Sequence, residues 1–405
     1  MTRARRRYVV TGLGVVSAIG TGKDAFWRGL CEARDGISPI RRFDTAPFER
    51  HRGGEVRDFS VAELLPDVPE AAAMGRAKQL MLVAARECLD QAALGGIDPF
   101  RVGVAIGTTI GESWALEAIT DSVARDGAGA LPGEAALDYL PHTIPQAVGR
   151  AFRLYGPNLM VSNACAAGNF SVGQALRCIE AGEADAMLAG GSDAFSRYAF
   201  SGFCRLGAIS PDVPRPFSRD RRGMIPGEGA AALLVESLEH ARARGATVLA
   251  EIVGYGESCD AHHITQPHDL GIARCARAAL EDAGLEPAAI SFVSVHGTGT
   301  PTNDVTESRA LRDVFGDALA GIPVSAVKSM TGHPMGAASA IECVAAVLSL
   351  QHQHVTATRN HLGPDPDCAV DCVPNVGRDM PVRYVLKTSS AFGGNNSCLV
   401  LKRPE

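Results

Sequence analysis

The chain has 405 residues, 46% of them hydrophobic, and a net charge of −6. That length exceeds one small core and points to one large domain or two fused ones, while the acidic balance argues against general nucleic-acid binding. No apolar run approaches the roughly 18 residues that span a bilayer, so a soluble, cytoplasmic protein without a membrane partner is expected.

The basic start, residues 1–7, precedes a short apolar stretch broken by glycines, which reads as a first strand rather than a signal peptide. Eleven cysteines have no regular spacing and, in a cytoplasmic chain, act mainly as small buried hydrophobes. Cys368 and Cys372 form the only close pair but lack a second ligand pair, so no metal is expected.

Taken in chain order, the apolar pattern predicts a strand from Tyr8, a helix over 72–94, a strand from Val102 and a strand from Asn158. A loop around Cys165, a helix over 171–181 and strands at 186–189 and 230–235 follow. The same order then repeats. A strand over 249–255, a helix over 272–283, a strand over 291–295 ending at His296 and a strand over 323–327 lead to a loop over 328–333. A helix over 337–350 and strands at 382–388 and 398–401 close the second copy. Strands alternating with helices predict two α/β halves, 1–248 and 249–405, with mostly parallel sheets covered on both faces. The stretch 195–228 is rich in Gly, Pro and Arg, has no counterpart in the second copy and is expected to cap the cleft.

Three loops carry the chemistry: Asn-Ala-Cys-Ala-Ala-Gly at 163–168, Val-His-Gly-Thr-Gly-Thr-Pro at 295–301 and Lys-Ser-Met-Thr-Gly-His-Pro at 328–334. Cys165, at a strand-to-helix turn among small residues, is expected to feel the positive end of the helix dipole and to have a lowered pKa. His296 and His333 sit at the ends of apolar runs beside open loops. Lys328, five residues before His333, can orient that histidine, and Glu342 on the next helix can neutralise the lysine. A cysteine nucleophile with two imidazoles suits acyl-thioester chemistry. The turn from Phe392 through Gly-Gly-Asn-Asn reads equally as a hairpin turn or as backbone N–H groups for an oxyanion hole. His262, His263, His352 and His354 lack such framing and read as structural or solvated. The Gly12-Leu-Gly run lacks the third glycine and the distal acid of a dinucleotide site.

With these loops in order, and with the segments from Arg215 through Arg-Arg-Gly and Gly227-Glu-Gly, the chain resembles the β-ketoacyl-acyl-carrier-protein synthases of the elongating Cys-His-His type, end to end. The resemblance implies an α/β thiolase fold, two similar halves in a five-layered arrangement, as a homodimer or as a heterodimer with a chain-length partner. By motif it implies Cys165 as nucleophile, His296 and His333 as catalytic histidines and Lys328 as supporting lysine, with the backbone of Cys165 and Phe392 as oxyanion hole. Thr298 and Thr300 match the threonines of the pantetheine tunnel, Phe392 the gate of the acyl pocket, and Ile110 and Phe203 pocket-lining positions.

The implied reaction is decarboxylative condensation of an acyl-enzyme with malonyl-acyl carrier protein, with acyl carrier protein as partner and no cofactor beyond the pantetheine arm of the substrate. Ala391 stands where the family has glycine, Asn395 where it has threonine, and the Gly-Thr-Gly-Thr run is commoner in polyketide ketosynthases. These departures leave open a fatty-acid, polyketide or polyene pathway, not the chemistry. A thiolase would need a second cysteine in the late glycine loop. A coenzyme-A-primed enzyme would pair the cysteine with one histidine and an asparagine. A non-catalytic chain-length subunit normally lacks the cysteine.

Overall fold

The computed structural model describes residues 7–130 and 137–405, so most of the basic start lies outside the described residues. The first set of strands is β1 (Tyr8–Ser17), β2 (Val102–Gly107), β3 (Asn158–Val161), β4 (Ala186–Asp193) and β5 (Gly229–Ser237). The second is β6 (Ala250–Cys259), β7 (Phe292–Ser294), β8 (Val324–Ser325), β9 (Tyr384–Ser390) and β10 (Asn395–Lys402). The spatial order is β3-β2-β4-β5-β1 in the first set and β8-β7-β9-β10-β6 in the second. Strand for strand, these orders are the same. The sets join where β1 meets β6 through the pairs Tyr8↔Ile252, Val9↔Glu251 and Val10↔Ala250.

The sheets are mixed, which corrects the expectation of mostly parallel ones. In each set two pairings are parallel (β3–β2 and β2–β4; β8–β7 and β7–β9) and two antiparallel (β4–β5 and β5–β1; β9–β10 and β10–β6). The reason is connection length. Only the four residues 391–394 separate β9 from β10 in sequence, and a parallel pairing needs a crossover of a dozen or more. The edge strand β8 and its neighbour β7 are also shorter than the apolar runs that encode them.

Six helices matter for the layers and the site: α1 (Arg76–Ala92), α2 (Ala167–Ala181), α3 (Arg197–Arg205), α4 (Asp269–Ala283), α5 (Pro301–Phe315) and α6 (Met335–His352). α1 covers β1 and β5 from outside, and α4 covers β6 and β10. α2 and α6 pack on each other and on strands of both sets, giving helix, sheet, helix, sheet, helix. A central helix must be apolar on every face, and α6 is buried from Met335 to Leu350 with Glu342 its one charged residue in that span. Each Val, Leu or Ile it buries contributes about 1.5–3 kcal/mol. Among the described residues α6 is also the one helix long and apolar enough to cross a membrane, but 89% of it is buried inside the fold. The close approach of α2 and α6 requires Gly168, where an added Cβ would stand 2.7 Å from the Ala340 nitrogen.

The stretch between β4 and β5 carries α3, capped by Ser196 Oγ accepting from the Ala199 N–H at 3.2 Å. Phe195, just before α3, and Phe200, on it, are buried and meet Phe43 and Phe48 at centroid distances of 5.3–5.8 Å. This aromatic cluster anchors the cap beside the Cys165 loop.

Candidate active site

Cys165 occupies a single turn, Ala164–Ala166, directly before α2. Ala164 is held at φ +44°, a left-handed conformation that costs a non-glycine residue about 1–2 kcal/mol. The strained turn delivers the cysteine to the helix start, four residues earlier than the helix predicted from Ser171. Cys165, Phe203, His296, Thr298, Thr300, His333 and Phe392 all line one cavity of 330 Å³. Ile110 does not line it; its N–H is bound to Asp193 Oδ1 at 3.0 Å. The cap contributes Leu206, Ala208 and Met224 as well as Phe203.

His296 follows β7 and is fixed through its backbone. Its N–H donates to Glu307 Oε1, and the Gly297 N–H to Glu307 Oε2, both at 2.8 Å. Glu307, on α5, also accepts from Thr388 Oγ1 at 2.8 Å. The ring is fixed from behind by Lys328, whose Nζ donates to the His296 carbonyl at 2.6 Å and to Glu342 Oε1, and lies 3.3 Å from His296 Nδ1. An ammonium has donors only, so Nδ1 accepts and the ring proton is left on Nε2. The lysine therefore orients His296, not the nearer-in-sequence His333; the strand pairing β7–β8 decides which histidine it meets. His333 is held by its backbone, donating its N–H to the Ile225 carbonyl at 2.7 Å and accepting from the Gly227 N–H at 2.9 Å. The two rings meet edge to face with centroids 5.6 Å apart.

Burial is the main force on the ionisation of all three groups. It pushes both imidazoles well below their usual range, with the Lys328 charge adding to the effect, so both are neutral near pH 7. It pushes the Cys165 thiol up to about 12, with Lys328 pulling down and Asp193 and Glu342 pushing up. This overturns the expected lowering by the helix dipole. A rise from 9 to about 12 is worth about 4 kcal/mol, whereas a helix terminus offers at most about 2 kcal/mol. The resting group is a thiol.

Thr298 and Thr300 stand with their hydroxyls 2.9 Å apart on the cavity wall, Thr300 at the start of α5. Phe392 is 37% exposed, at the lip, with its ring 5.9 Å from that of Phe203. The turn behind it needs Gly393 and Gly394, at φ +81° and +76°. Those two glycines donate their N–H groups to the Ile264 and Ala391 carbonyls.

Several members of the site were not read from sequence. Asp193, at the end of β4, accepts from Thr108 Oγ1 at 2.7 Å and from the N–H groups of Thr109, Ile110 and Gly336 at 2.9, 3.0 and 2.6 Å, joining loops of both strand sets. Glu307 and Lys387 are buried charges behind the cavity. For two of them the signal was present but local: Asp193 is an acid ending the apolar β4, and Lys387 a lysine inside the apolar β9. His263 is exposed, as read, yet with Ile264, Thr265, Gln266 and Pro267 it builds one wall of the cavity.

Residues 5–241 match the family described as Beta-ketoacyl synthase, N-terminal domain, and residues 249–361 match Beta-ketoacyl synthase, C-terminal domain. The chain belongs to the β-ketoacyl synthase family. This β-ketoacyl synthase is 38% identical to the 3-oxoacyl-[acyl-carrier-protein] synthase 2 of Staphylococcus aureus (strain N315), over 99% of both chains. Among solved structures it is similar to the ishigamide ketosynthase/chain length factor, with 45% identity, a TM-score of 0.95, and coverage of 99% of this chain and 100% of the other. It is also similar to a ketosynthase, bound to a hexaketide, in complex with its type II polyketide-synthase acyl carrier protein, with 34% identity, a TM-score of 0.92 and the same coverage. Its fold is that of the thiolase-type ketosynthases, as the five layers indicate.

Proposed function

We propose that the chain catalyses decarboxylative Claisen condensation of a Cys165-bound acyl group with malonyl-acyl carrier protein, giving a 3-oxoacyl-acyl carrier protein. The observation that carries this reading is one buried cysteine facing two neutral histidines in a single cavity. In the first stage, Cys165 Sγ attacks the thioester carbonyl of the acyl carrier, its proton passes to an imidazole in the cavity, and the carbon–sulfur bond to the carrier breaks as the imidazole returns that proton to the carrier sulfur, which leaves as a thiol. The backbone N–H groups of Cys165 and Phe392 stabilise the oxyanion. In the second, malonyl carrier loses CO₂, and the electron pair left on the α-carbon is delocalised onto the thioester oxygen. His296, with its proton on Nε2, and His333 donate to that oxygen. The carbanion then attacks the Cys165 acyl carbonyl, and the Cys165 thiolate leaves and takes a proton from water. Thr298 and Thr300 bind the pantetheine arm, Phe392 gates the acyl end, and Lys328 and Glu342 support His296. No cofactor is required beyond that arm.

The proposed setting is the cytoplasm, with a division of the chain at 248/249, just after the end of the first family match. A second reading places the chain as the catalytic half of a heterodimer in polyketide or polyene synthesis. It is favoured by the 45% identity to the ishigamide ketosynthase/chain length factor, against 38% to the synthase 2 proteins. The test supplies acyl and malonyl carrier proteins and measures both the mass added at Cys165 and the product. An acyl adduct on Cys165 and a 3-oxoacyl carrier are expected; no adduct and no 3-oxoacyl product would refute the reading.

Docking of an acidic carrier protein calls for a basic mouth. Of six candidate cations in the cap and on α1, three are committed internally: Arg76 to Glu228 at 2.8 Å, Lys78 to Asp138 and Arg221 to Asp365. Arg205, Arg219 and Arg222 are exposed. Reversing each of these three to glutamate is expected to raise the apparent KM for carrier protein by roughly two- to fivefold for at least two of them, the worth of an exposed charge pair. The effect should fade with salt and be smaller for pantetheine thioesters lacking the protein. Unchanged carrier kinetics in all three would place docking elsewhere.

A further inference from the structure

Lys387 is a second lysine on the carboxylate that holds Lys328. It lies on β9 with its side chain wholly buried. Its Nζ stands 2.7 Å from Glu342 Oε2 as an ion pair, donates to Ser389 Oγ at 2.6 Å and donates to the Thr388 carbonyl. Glu342 Oε1 meets Lys328. One carboxylate thus stands between two ammonium groups, and one of these reaches His296. Burying four charges together, Lys328, Lys387, Glu342 and the nearby Glu307, is costly compared with an apolar filling of the same volume, and Lys328 with Glu342 would already be neutral as a pair. The added charge of Lys387 therefore bears on something beyond the stability of that pair.

We propose that Lys387 is a positioning residue: by sharing Glu342 with Lys328 it fixes where the Lys328 ammonium stands and adds a second positive charge behind His296, so that this imidazole stays neutral with its proton on Nε2. The inference rests on the condensing reading above. His296 is faced by Lys328 and Glu342, by Glu307 from α5, by Lys387 from β9, and by His333 and Cys165 across the cavity. Burial, Lys328, His333 and Lys387 all disfavour its protonated form. The sign follows. Removing Lys387 removes a positive neighbour, His296 takes up a proton at higher pH, and the neutral donor is lost sooner as pH falls.

The test uses the full-length enzyme and its K387M and K387Q variants. Malonyl-carrier decarboxylation is measured against pH, and the ring nitrogens of His296 are followed by ¹⁵N NMR. The acid limb of the rate profile and the NMR titration are both expected to move up by at least about half a pH unit in either variant. Wild-type His296 is expected to show the Nε2–H tautomer. A uniform loss of rate in a folded variant, with limb and titration unmoved, would reduce Lys387 to a structural part and overturn the proposal. So would an Nδ1–H tautomer in the wild type, which is readable even where neither variant folds. A wild type that does not decarboxylate malonyl carrier would instead refute the condensing reading, leaving the tautomer result to be judged by itself.

Discussion

Cys165→Ala is expected to abolish condensation while leaving malonyl-carrier decarboxylation measurable. The two half-reactions draw on different groups. Only acyl transfer needs a sulfur nucleophile, and Cys165 stands at the cavity floor on a turn strained at Ala164. Enolate formation needs hydrogen-bond donors, and these come from His296 and His333, held by Glu307, Lys328 and the Ile225 carbonyl, none of which depends on the thiol. The substitution removes one sulfur beside Ala164, Ala166 and Ala167, so the turn has no reason to refold. Product and CO₂ are measured separately on the same protein. Elongation by the alanine variant at a rate comparable to wild type would show that the nucleophile lies elsewhere.

His296→Ala and His333→Ala are each expected to slow decarboxylation by at least about a hundredfold, the usual loss on removing one preorganised oxyanion donor. The cavity excludes much of the water that could substitute, since both imidazoles are nearly fully buried. The double variant should be little worse than either single one, because both donors serve one developing charge. His296→Ala carries an extra consequence. It leaves the Lys328 ammonium without its Nδ1 acceptor, so that variant is also expected to lose stability, seen as a lower Tm, more than His333→Ala, whose Nδ1 has no hydrogen-bond partner among the described residues. A wild-type decarboxylation rate in either single variant would end the two-histidine assignment.

The reacting groups were readable because each lies in a short segment that announces itself: a small-residue loop after an apolar run, with glycine on one side. The repeat was readable because β-strand and helix periods are local properties of the chain. What lay beyond reach depends on segments far apart in sequence. Asp193 matters because Gly336, 143 residues later, donates to it. Lys328 serves His296 because β7 and β8 run side by side, although His333 is nearer along the chain. Arg76, Lys78 and Arg221 look like Arg205, Arg219 and Arg222 in sequence, and only their packing separates internal partners from exposed charge.

By itself the sequence determined the order of the ten strands, the duplicated plan and the cysteine and histidines that meet, since apolar period and turn chemistry act over a few residues; the helices α3 and α5 were not read from it. The tertiary structure decided how those groups ionise. A cysteine at a helix start is acidified when water reaches it, but α2 and α6 close over Cys165 from both strand sets, and loss of hydration outweighs the helix terminus. It also decided that Glu342 is shared by two lysines, because only the stacking of α6 against β9 brings Lys387 within 2.7 Å of the carboxylate that Lys328 already holds.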